Sequence, residues 1–161
     1  MEVVSRSYYV GAARWRESLV ALVDPLVFAM DSDPVRWQWL FAAPHGARRS
    51  IGALWLHWLD QAQEHRCFWC QRPLTASTAT VEHVLPYGDA WWPQLTRLEQ
   101  LLSLRRSHAV CNTGYNTWRQ HQAAETLAQM DAMLVRHIRQ QIQRHPLLRL
   151  LHSHHYTPLA Q

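Results

Sequence analysis

The chain has 161 residues, 48% of them apolar and 17% charged, with a net charge of +4. That composition excludes a disordered chain and leaves room for one buried core. No apolar run is long enough to cross a membrane, and the N-terminus, with Glu2 and Arg6, does not read as a signal peptide, so a cytoplasmic protein with no membrane partner is expected. All 16 basic residues are Arg. Guanidinium groups suit bidentate phosphate contacts, which is compatible with a nucleic-acid partner.

Residues 1–65 read as a helical layer. Met1 to Val10 is β-leaning, an arm or a short strand. Ala13 to Met30 carries a helical stripe of Trp15, Leu19, Leu22 and Val23, with Pro25 predicting a kink or two helices. Asp31-Ser-Asp33-Pro34 is a helix-start signal, and a short helix with Trp37, Leu40 and Phe41 on its apolar side follows. Pro44 and Gly46 mark a loop. Ser50 is the expected cap of a helix running to about Glu64, with Leu54, Trp55, Trp58 and Leu59 facing inward.

Residues 66–120 hold all three cysteines. Cys67-Phe-Trp-Cys70 opens the segment and His108-Ala-Val-Cys111 closes it. Two pairs of equal spacing supply the four N and S donors of a closed, tetrahedral zinc site. Between them stands Val81-Glu82-His83-Val84-Leu85-Pro86. The β-branched alternation from Thr78 predicts a strand, which puts Glu82 and His83 on opposite sides. The stretch from Cys67 to Pro86 reads as a zinc knuckle leading into a β-hairpin. Tyr87 to Pro93 is a loop, whose Trp91 and Trp92 are candidates for stacking on unpaired bases. Gln94 to Leu102 reads as a short helix. Arg105 and Arg106, beside the second pair, are candidate phosphate contacts.

The chemistry of phosphodiester hydrolysis asks for a base to activate water and a cation to neutralise developing charge. His83 is the natural base, since imidazole titrates near neutral pH. Glu82 and Asn112 are hard oxygen donors suited to Mg2+ or Mn2+, with Asn116, one helical turn on, as a further ligand candidate.

Taken together, C-x-x-C, an acid followed by His with a Pro close behind, and a second ligand pair with Asn directly after its last cysteine resemble the zinc-bearing HNH endonuclease family. The resemblance covers about a third of the chain. It implies a ββα-metal motif, a structural zinc on Cys67, Cys70, His108 and Cys111, and cleavage of nucleic acid, DNA before RNA. It departs at Ser103, which stands where the family has its middle Asn. The role of holding the base then falls to the Ser103 hydroxyl or to a backbone carbonyl. The rival expectation is a zinc-stabilised module that binds nucleic acid or protein without cutting, alone or as a subunit of a larger complex.

Residues 121–161 read as a long C-terminal helix and a tail. From Asn112 a helix, with a break, is predicted to about Arg144, its apolar face carrying Leu127, Met130, Leu134, Ile138 and Ile142. Pro146 ends it, and His152, His154 and His155 read as an exposed tail. The expected whole is α+β and mostly helical: an HNH motif packed between an N-terminal helical layer and a C-terminal helix, one compact domain.

Overall fold

The computed structural model describes residues 23–33 and 48–154; for 48–53, 153 and 154 it describes the backbone alone. The expected N-terminal arm, the Trp15–Leu19 stripe, the short helix around Trp37 and His155 lie outside these residues. Six helices and two strands follow in the order α1 (Val23–Asp31), α2 (Arg48–Ala62), β1 (Ala79–His83), α3 (Arg97–Leu102), β2 (Leu104–His108), α4 (Ala109–Gln120), α5 (Ala124–Arg144) and α6 (Pro146–His154). The fold is α+β and mostly helical, with one small two-stranded sheet. No helix among the described residues is long and apolar enough to cross a membrane.

The helical layer is built on apolar stripes. Pro25 sits in the first turn of α1, where its missing N–H leaves no helical bond unmade. Leu26 and Met30 of α1, Trp58 and Leu59 of α2, Leu134 and Ile142 of α5 and Leu148 of α6 are almost fully buried. They belong to one cluster that also takes in Cys67, Val84, Leu102 and Cys111. A single core therefore joins all three stretches of the chain.

Several expectations are corrected. α2 begins at Arg48, two residues before Ser50, so Ser50 lies inside the helix and is not its cap. Cys67 to Pro86 holds no hairpin of its own. β1 pairs antiparallel with β2 across a 20-residue excursion (84–103), in a register that sets Glu82 opposite Arg105 and His83 opposite Leu104. The helix expected over Gln94–Leu102 is instead a 3-10 turn at Trp92–Gln94 followed by α3. α3 starts with a capping box: the Thr96 hydroxyl accepts from the Glu99 N–H, and the Glu99 carboxylate accepts from the Thr96 N–H. The expected break in the C-terminal helix is present, at residues 121–123 between α4 and α5. Pro146 both ends α5 and opens α6, so the expected tail is helical to His154, with Leu147, Leu148 and Leu151 buried.

β2 would be an exposed edge, and the chain covers it. The Gln63 side chain, beyond the end of α2, acts as a short piece of strand. Its Nε2 donates to the Arg66 and Arg106 carbonyls (both 2.9 Å), and its Oε1 accepts from the Arg106 N–H at 2.8 Å. The Phe68 N–H also donates to the Arg106 carbonyl. Arg106, at the middle of that edge, is thereby paired through both its N–H and its carbonyl.

Candidate metal centre and active site

The four expected ligands meet. The donor atoms of Cys67, Cys70, His108 and Cys111 all lie within 4.8 Å of one another, and this cluster could hold a metal ion such as zinc. Two elements bring them together. Cys67 and Cys70 sit on a tight turn closed by Gln71 N–H to Cys67 carbonyl and Cys67 N–H to Arg72 carbonyl bonds, both 2.9 Å. Gln71 makes that turn with a positive φ of 60°. His108 ends β2 and Cys111 lies in the first turn of α4, so the strand-to-helix corner sets the second pair.

The donor chemistry fits a cation. His108 Nε2 stands 3.0 Å from the Pro73 carbonyl, and Nδ1 stands 3.3 Å from Cys70 Sγ. A carbonyl can only accept, so Nε2 carries the proton and the Nδ1 lone pair faces the thiols. An outer carbonyl fixing the tautomer of a ligand histidine is the usual support of a metal site. Tetrahedral zinc with sulfur ligands would put its donors roughly 3.5–3.8 Å apart, within the range seen here. Burial pushes the Cys111 thiol up, and the neighbouring Cys67 and Cys70 push it further. A cation held among these donors would favour the Cys111 thiolate that burial opposes.

β1 carries Glu82 and His83 past this cluster, and its alternation turns them to different surroundings. Glu82 is buried, 1% exposed, and its Oε2 accepts from the Trp69 indole N–H at 3.0 Å. Burial lifts its carboxyl to about 7, against the pull of that bond and of Arg119. Trp69 lies between the two cysteines of the knuckle and stacks on Tyr115 of α4, centroids 4.5 Å apart. The metal cluster and the Glu82 carboxylate are thus joined by one side chain.

His83 is half-buried on the other side. Its ring meets the edges of Trp92 (5.3 Å) and Tyr87 (6.4 Å), and it makes no hydrogen bond among the described residues. Burial lowers its pKa, so the imidazole is neutral near pH 7 with a lone pair to offer. Ser103 does not hold it. The Ser103 hydroxyl donates to the Gln100 carbonyl at 2.7 Å, while its backbone carbonyl accepts from the Val84 N–H at 3.2 Å. Ser103 therefore fixes the strand beside His83 and leaves the ring to the aromatic loop.

Asn112 reaches back from α4. Its Nδ2 donates to the carbonyl of Val81, the residue before Glu82, at 3.0 Å, and its Oδ1 accepts from Asn116 Nδ2 at 2.9 Å. Asn116 thus orients the Asn112 oxygen. No protein-family model, curated protein or solved structure matches this chain.

The expected phosphate contacts are corrected. Arg105 is 0% exposed; its guanidinium lies over Phe68 and donates to the Leu102 carbonyl at 2.8 Å. Burial brings its pKa down to about 9. Arg106 is half-buried, its Nε bound to Asp60 Oδ1 of α2 at 2.8 Å. Arg105 is thus enclosed and not presented to a phosphate, and the Arg106 side chain, 14% exposed, has its Nε committed to Asp60.

Three residues went unread in the sequence. Arg119 of α4 grips Asp131 of α5 with two bonds of 2.7 and 2.9 Å, and also reaches the Tyr115 hydroxyl at 3.2 Å. Tyr115 donates in turn to the Val84 carbonyl at 2.7 Å. Burial lifts the Asp131 carboxyl to about 6, while its bonds to Arg119 restrain the rise. Burial would lower the Arg119 pKa, and the bonds to Asp131 outweigh it and raise it. The two-pronged geometry is that of an ion pair, charged at neutral pH. Arg119 also stands 3.6 Å from Asp89, whose Oδ1 accepts from the Trp91 N–H. The network therefore anchors the loop that carries Tyr87 and Trp92 to His83. No local motif announces it, because its partners are far apart in sequence.

Proposed function

We propose that the chain is a metal-dependent endonuclease of the HNH type, hydrolysing phosphodiester bonds of nucleic acid, DNA in the first instance. The observation that carries the reading is the strand–strand–helix unit from β1 to α4. It carries the four-donor cluster, the Glu82-His83 pair and the Asn112–Asn116 pair on adjoining elements, in the order the resemblance implies.

Zinc in the Cys67, Cys70, His108 and Cys111 cluster has every position filled by protein and so serves structure. Glu82 and the Asn112 oxygen are the residues that would hold Mg2+ or Mn2+, which supplies charge neutralisation at the phosphate. Asn116 acts one step back, by orienting Asn112. His83, neutral and free of hydrogen bonds, takes a proton from the attacking water. Trp92 and Tyr87 fix the plane of its ring and keep bulk water from one side. Trp69 holds the Glu82 carboxylate against the knuckle.

A second reading is favoured by one specific observation. Glu82 is almost wholly buried and its carboxyl is pushed up to about 7, as expected of a structural carboxylic acid. On that reading the chain is a zinc-stabilised module that binds nucleic acid or a protein partner without cutting. Plasmid nicking with Mg2+ or Mn2+ decides between them. The nuclease reading expects cleavage by the wild type and a loss of at least a hundredfold in His83→Ala, with zinc content and circular dichroism unchanged. Wild-type protein that is folded, zinc-loaded and inert across metals and substrates leaves the binding module.

A further inference from the structure

We propose that a groove between the Trp91 loop and α5 seats a single strand of nucleic acid. The proposal takes its ligand class from the nuclease reading and adds where, and in what form, the ligand lies.

The groove has a volume of about 540 Å³ and is lined by Trp91, Val135, Arg136, Arg139, Gln140 and Gln143 among others, with no acidic side chain. Four of these recur at i, i+3, i+4 and i+7 along α5, so they form one stripe about 10 Å long on the helix. Between Ala132 and Arg144 the helix has no Asp or Glu at all. The groove is therefore electropositive as well as partly apolar.

Its parts are fixed in advance. The Arg139 Nε is bound to the buried Glu99 carboxylate at 2.8 Å, which sets the guanidinium 5.9 Å from the centre of the Trp91 ring. That bond uses Nε alone and leaves the terminal nitrogens of the fork for a phosphate. Arg136 is exposed and makes no ion pair among the described residues. Trp91 is half-buried, and its backbone N–H donates to Asp89 Oδ1 at 2.9 Å. A half-buried indole, two guanidinium groups and two carboxamides are what one unpaired nucleotide after another requires: a ring to stack on, cations for the backbone, and donor–acceptor groups for base edges.

Position and size set the form of the ligand. Trp91 and Trp92 are consecutive; the first lines the groove and the second packs on His83. A strand lying in the groove is thereby led to the candidate base. A space of this volume is that of a small-molecule pocket, which suits an unpaired base better than a base pair.

The test uses the full, zinc-loaded chain carrying His83→Ala, so that nothing is cut, and a short fluorescein-labelled oligo-dT read by anisotropy across salt concentrations. Arg136→Glu is expected to weaken binding more than tenfold and to flatten the slope of log Kd against log salt by about 0.7 or more. Trp91→Leu is expected to weaken binding about fivefold or more with the slope unchanged. Arg144→Glu, on the same helix but outside the groove, is expected to do much less than Arg136→Glu. The proposal is overturned if Arg136→Glu and Trp91→Leu bind within twofold of the parent, if Arg144→Glu matches Arg136→Glu, or if a duplex of equal length binds as tightly with the same sensitivities. Groove-dependent binding by a protein whose wild type never cuts would retain the groove and sink the nuclease. Cleavage without groove dependence would do the reverse.

Discussion

The helical layer and the Cys67–Arg119 segment bury their interiors by different means. In α1, α2, α5 and α6 the inside is mainly Leu, Ile, Val, Met and Trp, set by helical stripes, with Asp131 and Gln141 of α5 as buried polar exceptions. Nine buried polar or charged residues are found among those described, and six of them, Glu82, Glu99, Ser103, Arg105, Ser107 and Arg119, fall between Cys67 and Arg119. Burial of apolar area is additive and forgiving. Burial of polar groups is neither, because each needs a partner at the right distance. The segment therefore depends on a frame that fixes distances, and four metal donors at its two ends provide one. The helical layer needs no such frame.

The largest test of that contrast is to remove the frame. Structural zinc contributes on the order of 10–16 kcal/mol in small zinc modules, comparable to the total stability of a domain of this size. Stripping the metal with a chelator, or Cys70→Ser, is expected to unfold the segment from Cys67 to Arg119 while α1, α2, α5 and α6 keep part of their helicity. Hydrogen exchange resolved by peptide reads both regions at once. Uniform loss of protection along the whole chain would mean that the two regions form one cooperative unit and the contrast does not hold.

Leu134→Ala is the matching change in the helical layer. Leu134 is 1% exposed, and truncating such a residue costs roughly 2–5 kcal/mol. Denaturant unfolding of the zinc-loaded protein should show that loss with zinc content intact. Zinc release accompanying the mutation would tie the frame to the core more closely than the contrast allows.

Glu82 gives a pH signature confined to the polar segment. With no metal bound, its carboxyl is lifted to about 7 from an ordinary value of 4.5. A folded-state pKa above the unfolded one means that the neutral form is favoured by folding. Its contribution is fully present below about pH 4.5 and is lost as pH rises through about 7, roughly 3 kcal/mol in all. Glu82→Gln keeps an oxygen for the Trp69 indole and removes the proton. The variant is expected to be more stable than wild type at pH 8 and similar at pH 4.5, read from urea midpoints at each pH without Mg2+ or Mn2+. If added Mn2+ stabilises wild type at pH 8 and leaves the variant unmoved, Glu82 is a metal ligand; equal curves at all pH values would remove the buried-carboxyl account.

The same contrast explains what the sequence disclosed. The candidate metal donors were legible because ligand spacing is local: two residues between Cys67 and Cys70, two between His108 and Cys111. The apolar face of α5 was legible by its period. β2 was not, because its alternation is inverted. Arg105 and Ser107 point inward and Leu104, Arg106 and His108 stand at the half-buried positions, so a reading that expects apolar residues inside sees a charged turn. The phosphate role expected of Arg105 failed for the same reason. The α3 capping box was present in Thr96-Arg-Leu-Glu99 and was passed over. α6 was hidden by Pro146, which signals the start of a helix as readily as its end. The Trp69–Glu82 bond could not be read from spacing, though a Trp between two metal-binding cysteines is a place to look.

The smallest expected effect concerns the turn that closes the first knuckle. Gln71 holds a φ of 60°, a conformation that costs a residue with a Cβ about 1–2 kcal/mol and glycine almost nothing. Its side chain gives something back, since Nε2 donates to the Phe68 carbonyl at 3.0 Å. A partly exposed bond of that kind contributes roughly 0.5–1 kcal/mol, and glycine adds a backbone-entropy cost to folding of similar size. The terms nearly cancel, so Gln71→Gly is expected to shift the stability of the zinc-loaded protein by less than about 1 kcal/mol. Gln71→Val keeps the strain, adds a branched Cβ and deletes the amide, so it should lose roughly 1–3 kcal/mol. Zinc affinity by competition with a chromophoric chelator should follow the same order, because the turn sets the distance between Cys67 and Cys70. If glycine and valine proved equal, the backbone of the knuckle would be fixed by the metal alone, and the turn would follow its ligands rather than place them.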